Sequence, residues 1–225
     1  DVNTGLPAQF IESVTARAKL LFEPDFAEGL RVMFTASYAD TEFGQFNIVQ
    51  SPVSVNDPAF QDFDIFGKET FPAAARLEFN EVIRGIVDIE YAFSDTWSVT
   101  ALGTIEDVNR TIDFSPAGAG DNADRVYSSE LRANFDYGDI NGWIGGYFFD
   151  ATNSSDTVFV TPLTLLGLPV NPPDAVVDLA IQQGSDTRNY AVFGDVTWDI
   201  SDKWTVGVGA RYDWEEFSTL GLRGS

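Results

Sequence analysis

Arg84, Arg132 and Arg211 stand among polar residues that recur at every second position, together with Arg17, Lys19, Asp88, Glu90, Glu130, Asp195 and Asp213. A guanidinium fork grips a carboxylate through parallel N–H donors, so these arginines are candidates for holding an anion or joining two chain segments. Glu130 and Asp213 offer the matching acceptors. Reaction chemistry is poorly supported by comparison. The 225 residues contain no His and no Cys, which removes imidazole catalysis, disulfides and His or thiolate metal sites. There is no P-loop, and Gly207-x-Gly209 lacks the third glycine of a dinucleotide fingerprint. A carboxylate pair for glycoside chemistry is compatible with the sequence, but acids on one strand parity are accounted for without it. The expectation is a binding protein and not an enzyme, with no cofactor and no metal centre.

Those charges are positioned by period-two alternation, which appears eight times. Val14, Ala16, Ala18, Leu20 and Phe22 oppose Ser13, Thr15, Arg17 and Lys19. Leu30 to Tyr38, Ile83 to Phe93, Trp97 to Ile105 and Tyr127 to Tyr137 repeat the pattern. A glycine-rich sixth run places Trp143, Tyr147 and Phe149 on its apolar parity. Tyr190 to Trp198 and Trp204 to Trp214 complete the series. Short turns lie near 23–29, 94–96, 138–141 and 201–203, whereas long connections lie near 40–78, 107–125 and 152–187. Compact domains rarely contain structureless loops beyond about 15 residues. Membrane barrels sort short turns to one side and long loops to the other.

The aromatic residues agree with that sorting. Trp97, Tyr137, Trp143, Trp198 and Trp204 flank short turns, and Tyr212 and Trp214 lie toward the long-loop side. Indole and phenol rings collect where hydrocarbon meets water. From Trp204 to Trp214 a strand tilted near 45° climbs roughly 23 Å, close to the ~25 Å apolar band of an outer-membrane barrel. No run approaches the ~18 apolar residues of a membrane-spanning helix. The predicted fold is all-β, an antiparallel transmembrane β-barrel segment of eight strands spanning residues 1–225, with the long connections as extracellular loops.

The balance of 35 acids against 13 bases gives a net charge of -22, with no basic stripe to replace phosphate counterions, which argues against nucleic acid as a partner. Solvation accounts for most of this acidity, and divalent cations bridging acidic loops to lipopolysaccharide are a sharper alternative. In the 40–78 connection Phe60, Phe63 and Phe66 alternate with Asp62 and Asp64. Such aromatic surface packs on its own loop or meets a hydrophobic ligand. Asp62-x-Asp64 and Asp121-Asn122-x-Asp124 lack the spacing of an EF-hand calcium loop. Asp174 to Gln183, following Pro172-Pro173, reads as a short helix. The opening DVNTGLPAQF has no basic or apolar leader region, so a leader is expected to have been removed or the chain to be internal.

Residues Tyr190 to Trp214, YAVFGDVTWDISDKWTVGVGARYDW, resemble the barrel hairpin of TonB-dependent outer-membrane receptors. The matching features are a Tyr-Ala-x-Phe-Gly strand, an Asp-rich turn and a second strand ending Gly-x-Arg-Tyr. Ser13 to Tyr38 and Val82 to Ile105 are similar more loosely. The resemblance implies a barrel of about 22 strands, of which these eight form part, filled by a plug domain. It further implies uptake of a scarce ligand, a metal–siderophore complex or an oligosaccharide, across the outer membrane of a Gram-negative bacterium. Partners would be outer-membrane lipid, lipopolysaccharide, and the TonB complex through the plug. Neither plug nor TonB-box sequence is found here. Strand directions place both ends of the chain on the long-loop side, as for a block cut from a larger barrel. Lumen-parity Arg84, Glu130, Arg132, Arg211 and Asp213 would then meet plug or ligand. Two alternatives are a passive porin or small closed eight-stranded barrel and a soluble β-sandwich binding module.

Overall fold

The computed structural model describes residues 9–45, 76–113, 118–162 and 176–224. They form one antiparallel sheet of eight strands: β1 (Gln9–Phe22), β2 (Leu30–Gln45), β3 (Arg76–Ala92), β4 (Trp97–Asp113), β5 (Gly118–Asp136), β6 (Ile140–Pro162), β7 (Val176–Ser201) and β8 (Trp204–Gly224). Each strand pairs with the next in sequence, and β1 and β8 share no ladder among the described residues. The sheet is an open arc. It does not form the small closed barrel.

Three short turns fix the register. Ser94 Oγ accepts from the backbone N–H of Trp97 at 3.0 Å, closing the β3–β4 turn. Asp136 Oδ1 accepts from Gly138 N–H at 2.8 Å, and Gly138 takes φ 83°, a left-handed conformation that suits a residue without Cβ. Gly29, at φ 82°, lies so close to β3 that a Cβ there would meet the Ala92 carbonyl oxygen at 2.6 Å.

With the register fixed, the two faces separate. Along β5 and the middle of β7, residues on the polar parity are the more sheltered and their alternates the more exposed. Leu20, Leu131, Val192 and Val208 are exposed on the convex face, while the buried apolar side chains among the described residues, Ala191 and Phe193, lie on the concave one. A soluble sandwich has the opposite arrangement, with its apolar alternates packed between sheets. An apolar outer face over a polar inner one is the arrangement of a membrane-spanning barrel. On β6–β8 the belt ends sharply. Phe34, Val87, Phe148, Tyr190 and Trp214 lie on its upper rows, and on the same parity the next row toward the long-loop end of β6–β8 carries Asp150, Arg188 and Glu216. Arg188 Nε is 2.7 Å from Asp150, and in the row above, Arg125 Nε is 2.5 Å from Asp107.

The structure corrects three expectations. Trp143, Tyr147 and Phe149 belong to the concave face, because Trp143 stands opposite Asn134 and Asp195, and Tyr147 opposite Glu130 and Ala191. The residues of β6 facing lipid are Ile140, Ile144 and Phe148, opposite Trp198, Gly194 and Tyr190. Gly142, Gly145 and Gly146 blank out the local alternation, so only the neighbouring ladders set this strand's parity. Second, the strands run far beyond the apolar belt. They range from 14 residues in β1 to 26 in β7, against the ~9–11 that cross a bilayer. Most of the expected 107–125 loop is ladder, Asp107 facing Arg125 and Asp113 facing Ala119. The 40–78 and 152–187 connections are likewise narrowed by strand at both ends. Third, Val176 to Gln183 is strand paired with Pro162 to Ser155, not helix. Backbone hydrogen bonds continue where side chains turn polar, so hydrophobic periodicity underestimates these strands. Phe60, Asp62, Phe63, Asp64 and Phe66 lie outside the described residues.

The sidedness is testable. In lipid vesicles, Val208→Arg, midway up the lipid-facing belt, is expected to lower the unfolding free energy of the full barrel by about 2–4 kcal/mol. Thr197→Arg, at a similar height but on the concave face, should cost much less. Equal losses would refute the assignment of faces.

Candidate functional site on the concave wall

Successive ladders bring one row of residues into line from β2 to β8: Arg31, Glu90, Thr100, Arg132, Gly145, Phe193 and Arg211. At its β5–β8 end Phe193 lies between two guanidiniums, with Arg132 5.7 Å and Arg211 5.2 Å from the ring centroid. Gly145 makes room for it, since a Cβ there would lie 2.6 Å from the Phe193 ring. Only 6% of Phe193 is exposed, although it stands on the polar parity of β7. Arg132 also covers Trp143 at 4.8 Å, Arg211 covers Tyr147 at 5.6 Å, and Trp143 meets Phe193 edge-on at 5.3 Å. Each partly desolvated cation–ring contact contributes about 0.5–2 kcal/mol.

The adjoining row supplies the counter-charges: Glu130, Tyr147, Ala191 and Asp213. Arg132 Nε lies 2.6 Å from Glu130, two positions away on the same strand. Arg211 donates from Nε and Nη2 to Asp213 at 2.9 and 2.7 Å with the same spacing. Half-exposed pairs of this kind add little stability, about 0–1 kcal/mol each; the Asp213 bonds fix the plane of Arg211, whereas among the described residues Arg132 Nε makes no hydrogen bond. On the other side Asp195 lies beside Gly209, where a Cβ would meet its Oδ2 at 2.7 Å. Among the described residues Asp195 has no ion-pair or hydrogen-bond partner, and its carboxylate borders the hollow. Glu130, Arg132, Trp143, Phe193, Asp195 and Arg211 line a hollow of about 350 Å³.

Four of the expected lumen residues, Glu130, Arg132, Arg211 and Asp213, therefore converge. Arg84 is separate and is ion-paired with Glu106 across β3–β4. Other concave-face cations are also paired: Arg31 with Glu90 at 3.4 Å and Arg110 with the buried Glu78. Trp143, expected at the membrane interface, belongs to this cluster. Tyr147 and Phe193 were not anticipated here. The available signal was Phe193 itself, an apolar residue on the parity of Asp195 and Thr197.

The remaining interface candidates lie elsewhere. Trp198, Trp204, Tyr212 and Trp214 are exposed on the convex parity, and Tyr190 stacks on Trp214 at 5.6 Å. Trp97 Nε1–H donates to Tyr137 Oη at 2.9 Å, joining the β4 start to the β5–β6 turn. Among the described residues no cluster of three or more carboxylates could hold a metal ion. A double-mutant cycle of Arg132→Gln and Trp143→Leu, read as unfolding free energy in vesicles, should show coupling of about 0.5–2 kcal/mol. Arg84→Gln with Trp143→Leu should be additive within about 0.5 kcal/mol.

The family profile described as TonB dependent receptor-like, beta-barrel matches residues 25–225. The fold is similar to that of the ferric yersiniabactin uptake receptor FyuA from Yersinia pestis, at 17% identity and a TM-score of 0.67, covering 93% of this chain and 30% of that one. It is also similar to the ferric-catecholate import receptor Fiu from E. coli, at 12% identity and a TM-score of 0.59, covering 93% and 38% respectively. At these identities the likeness concerns fold alone. This chain spans about a third of the length of either receptor. No curated protein matches it in sequence. An open arc of antiparallel strands with a lipid-facing belt, matched by that profile over nearly its whole length, places the chain in the TonB-dependent receptor β-barrel family, whose members reside in the outer membrane.

Proposed function

We propose that the chain forms part of the wall of a receptor that binds a scarce ligand, a metal–siderophore complex or an oligosaccharide, and imports it with energy delivered through TonB. The observation that carries this reading is the Arg132–Phe193–Arg211 cluster. It is a packed, charge-balanced and partly open binding surface on the face turned away from lipid. A passive pore needs a polar wall but no such construction. In this reading a plug domain packs against the lower concave wall, and Arg84, Glu130, Arg132, Arg211 and Asp213 are its contacts or the ligand's. Phe60, Asp62, Phe63, Asp64 and Phe66 take part in capturing the ligand. Trp97, Tyr137, Trp198, Trp204, Tyr212 and Trp214 anchor the belt against membrane lipid and lipopolysaccharide.

Uptake by cells expressing the full-length receptor tests it. Accumulation of the ligand should stop in a strain lacking TonB and on addition of a proton uncoupler, while surface binding persists. Uptake indifferent to both treatments would make the protein a passive pore. Replacing Phe60, Phe63 and Phe66 together with Ser should weaken capture at least about ten-fold, equivalent to about 1.4 kcal/mol, without changing the amount of receptor in the membrane.

A further inference from the structure

On every strand the first convex-face residue above the apolar belt is ionisable. Strands β1–β4 contribute acids only, Glu12, Asp40, Glu81 and Asp107. Strands β5–β8 alternate in sign, with Arg125, Asp150, Arg188 and Glu216. The next convex residue below is aliphatic or aromatic in each case, from Val14 on β1 to Trp214 on β8. From Glu12 to Glu216 these charges descend three rows across seven ladders. At ~6.7 Å per row and ~4.8 Å per ladder the slope is about 30°, near the ~35–45° tilt of strands in membrane barrels. The charges therefore form a level collar at the upper edge of the belt.

We propose that the β5–β8 arc of this collar, with the trough beneath it, seats one lipid, phosphatidylethanolamine, whose headgroup carries both a phosphate and an ammonium group. The seat needs only the lipid-facing belt and is independent of what the receptor imports.

This arc holds the collar's two bases, and both guanidiniums are more than half exposed. Each is tied to a carboxylate through Nε, Arg125 to Asp107 and Arg188 to Asp150, which leaves the Nη donors of both forks for a phosphate. Asp150 Oδ1 and the Glu216 carboxylate flank Arg188 and accept from an ammonium. Below them lies a trough of about 520 Å³, where small Ser129 and Gly146 stand between Leu131, Phe148, Tyr190 and Trp214. A Cβ at Gly146 would meet nothing closer than the Ala191 carbonyl oxygen at 3.8 Å, so there is room for an acyl chain over it.

Charge selects this occupant over the others. The collar as a whole carries six acids against two arginines, so an anionic lipid meets a repulsive rim. A second copy of the chain would bring another such rim to the same level. A zwitterion gains from both signs where they alternate, and β1–β4 offer its phosphate no base. A primary ammonium also donates hydrogen bonds to carboxylates, which a trimethylammonium cannot do.

Native mass spectrometry of the delipidated full-length receptor, titrated with phosphatidylethanolamine, phosphatidylcholine, phosphatidylglycerol and lipid A, tests the seat. Phosphatidylethanolamine should bind at least about five-fold more tightly than each of the other three. Arg125→Gln with Arg188→Gln, two exposed replacements above the belt, should abolish that preference. Gly146→Leu, which fills the trough, should weaken phosphatidylethanolamine by about five-fold, whereas Glu81→Gln on the acidic arc should change it less than about two-fold. Tighter binding of phosphatidylglycerol or lipid A, or equal binding of all four lipids, would overturn the inference. So would a preference that survives the arginine replacements, or an affinity unmoved by Gly146→Leu.

Discussion

Everything in this structure depends on an unbroken antiparallel backbone ladder. Hydrocarbon offers no partner to an N–H or C=O group, so a strand that crosses a bilayer must satisfy its backbone on both sides. Each strand from β2 to β7 does so by pairing with two neighbours in register. Once the ladder is fixed, alternate side chains have no freedom of face. One set meets lipid and the other meets the interior. The turns at Ser94, Gly138 and Gly29 matter for the same reason, since a slip of one residue would carry arginines into hydrocarbon.

The ladder continues where the membrane ends. Above Tyr190 and Trp214 the convex parity becomes Asp, Glu and Arg, yet the strands keep pairing as far as Pro162 and Val176. The belt height is thus set by side chains and the wall height by backbone. This separation lets a receptor of bilayer-matched hydrophobic height carry a wall that rises beyond it on the long-loop side.

On the concave face, pairing of charges does more than stabilise. Asp213 holds the plane of Arg211 through its Nε and Nη2 donors, Glu130 stands beside Arg132, and the two guanidiniums cover Phe193, Trp143 and Tyr147. Preorganisation reduces the entropy lost on binding, which at each long side chain is about 0.5–1.5 kcal/mol. Gly145 makes the arrangement possible by leaving Phe193 room to lie against the sheet.

The sequence alone determined what is local: the strands, their short turns, and the parity of every strand whose alternation is uninterrupted. Alternation of this kind responds to two solvents, lipid and water, and needs no knowledge of distant residues. It put Arg132, Glu130, Arg211 and Asp213 on one face of the sheet, the face their ladders share. Tertiary structure alone decided the facing of β6, where Gly142, Gly145 and Gly146 leave no local pattern, and so moved Trp143 from the outer face to the concave wall. It extended the strands through polar residues around 107–125 and 176–187, because backbone pairing is indifferent to hydropathy. It also brought Arg132 of β5 and Arg211 of β8 onto one ring, since adjacency across a sheet is set by register summed over intervening strands.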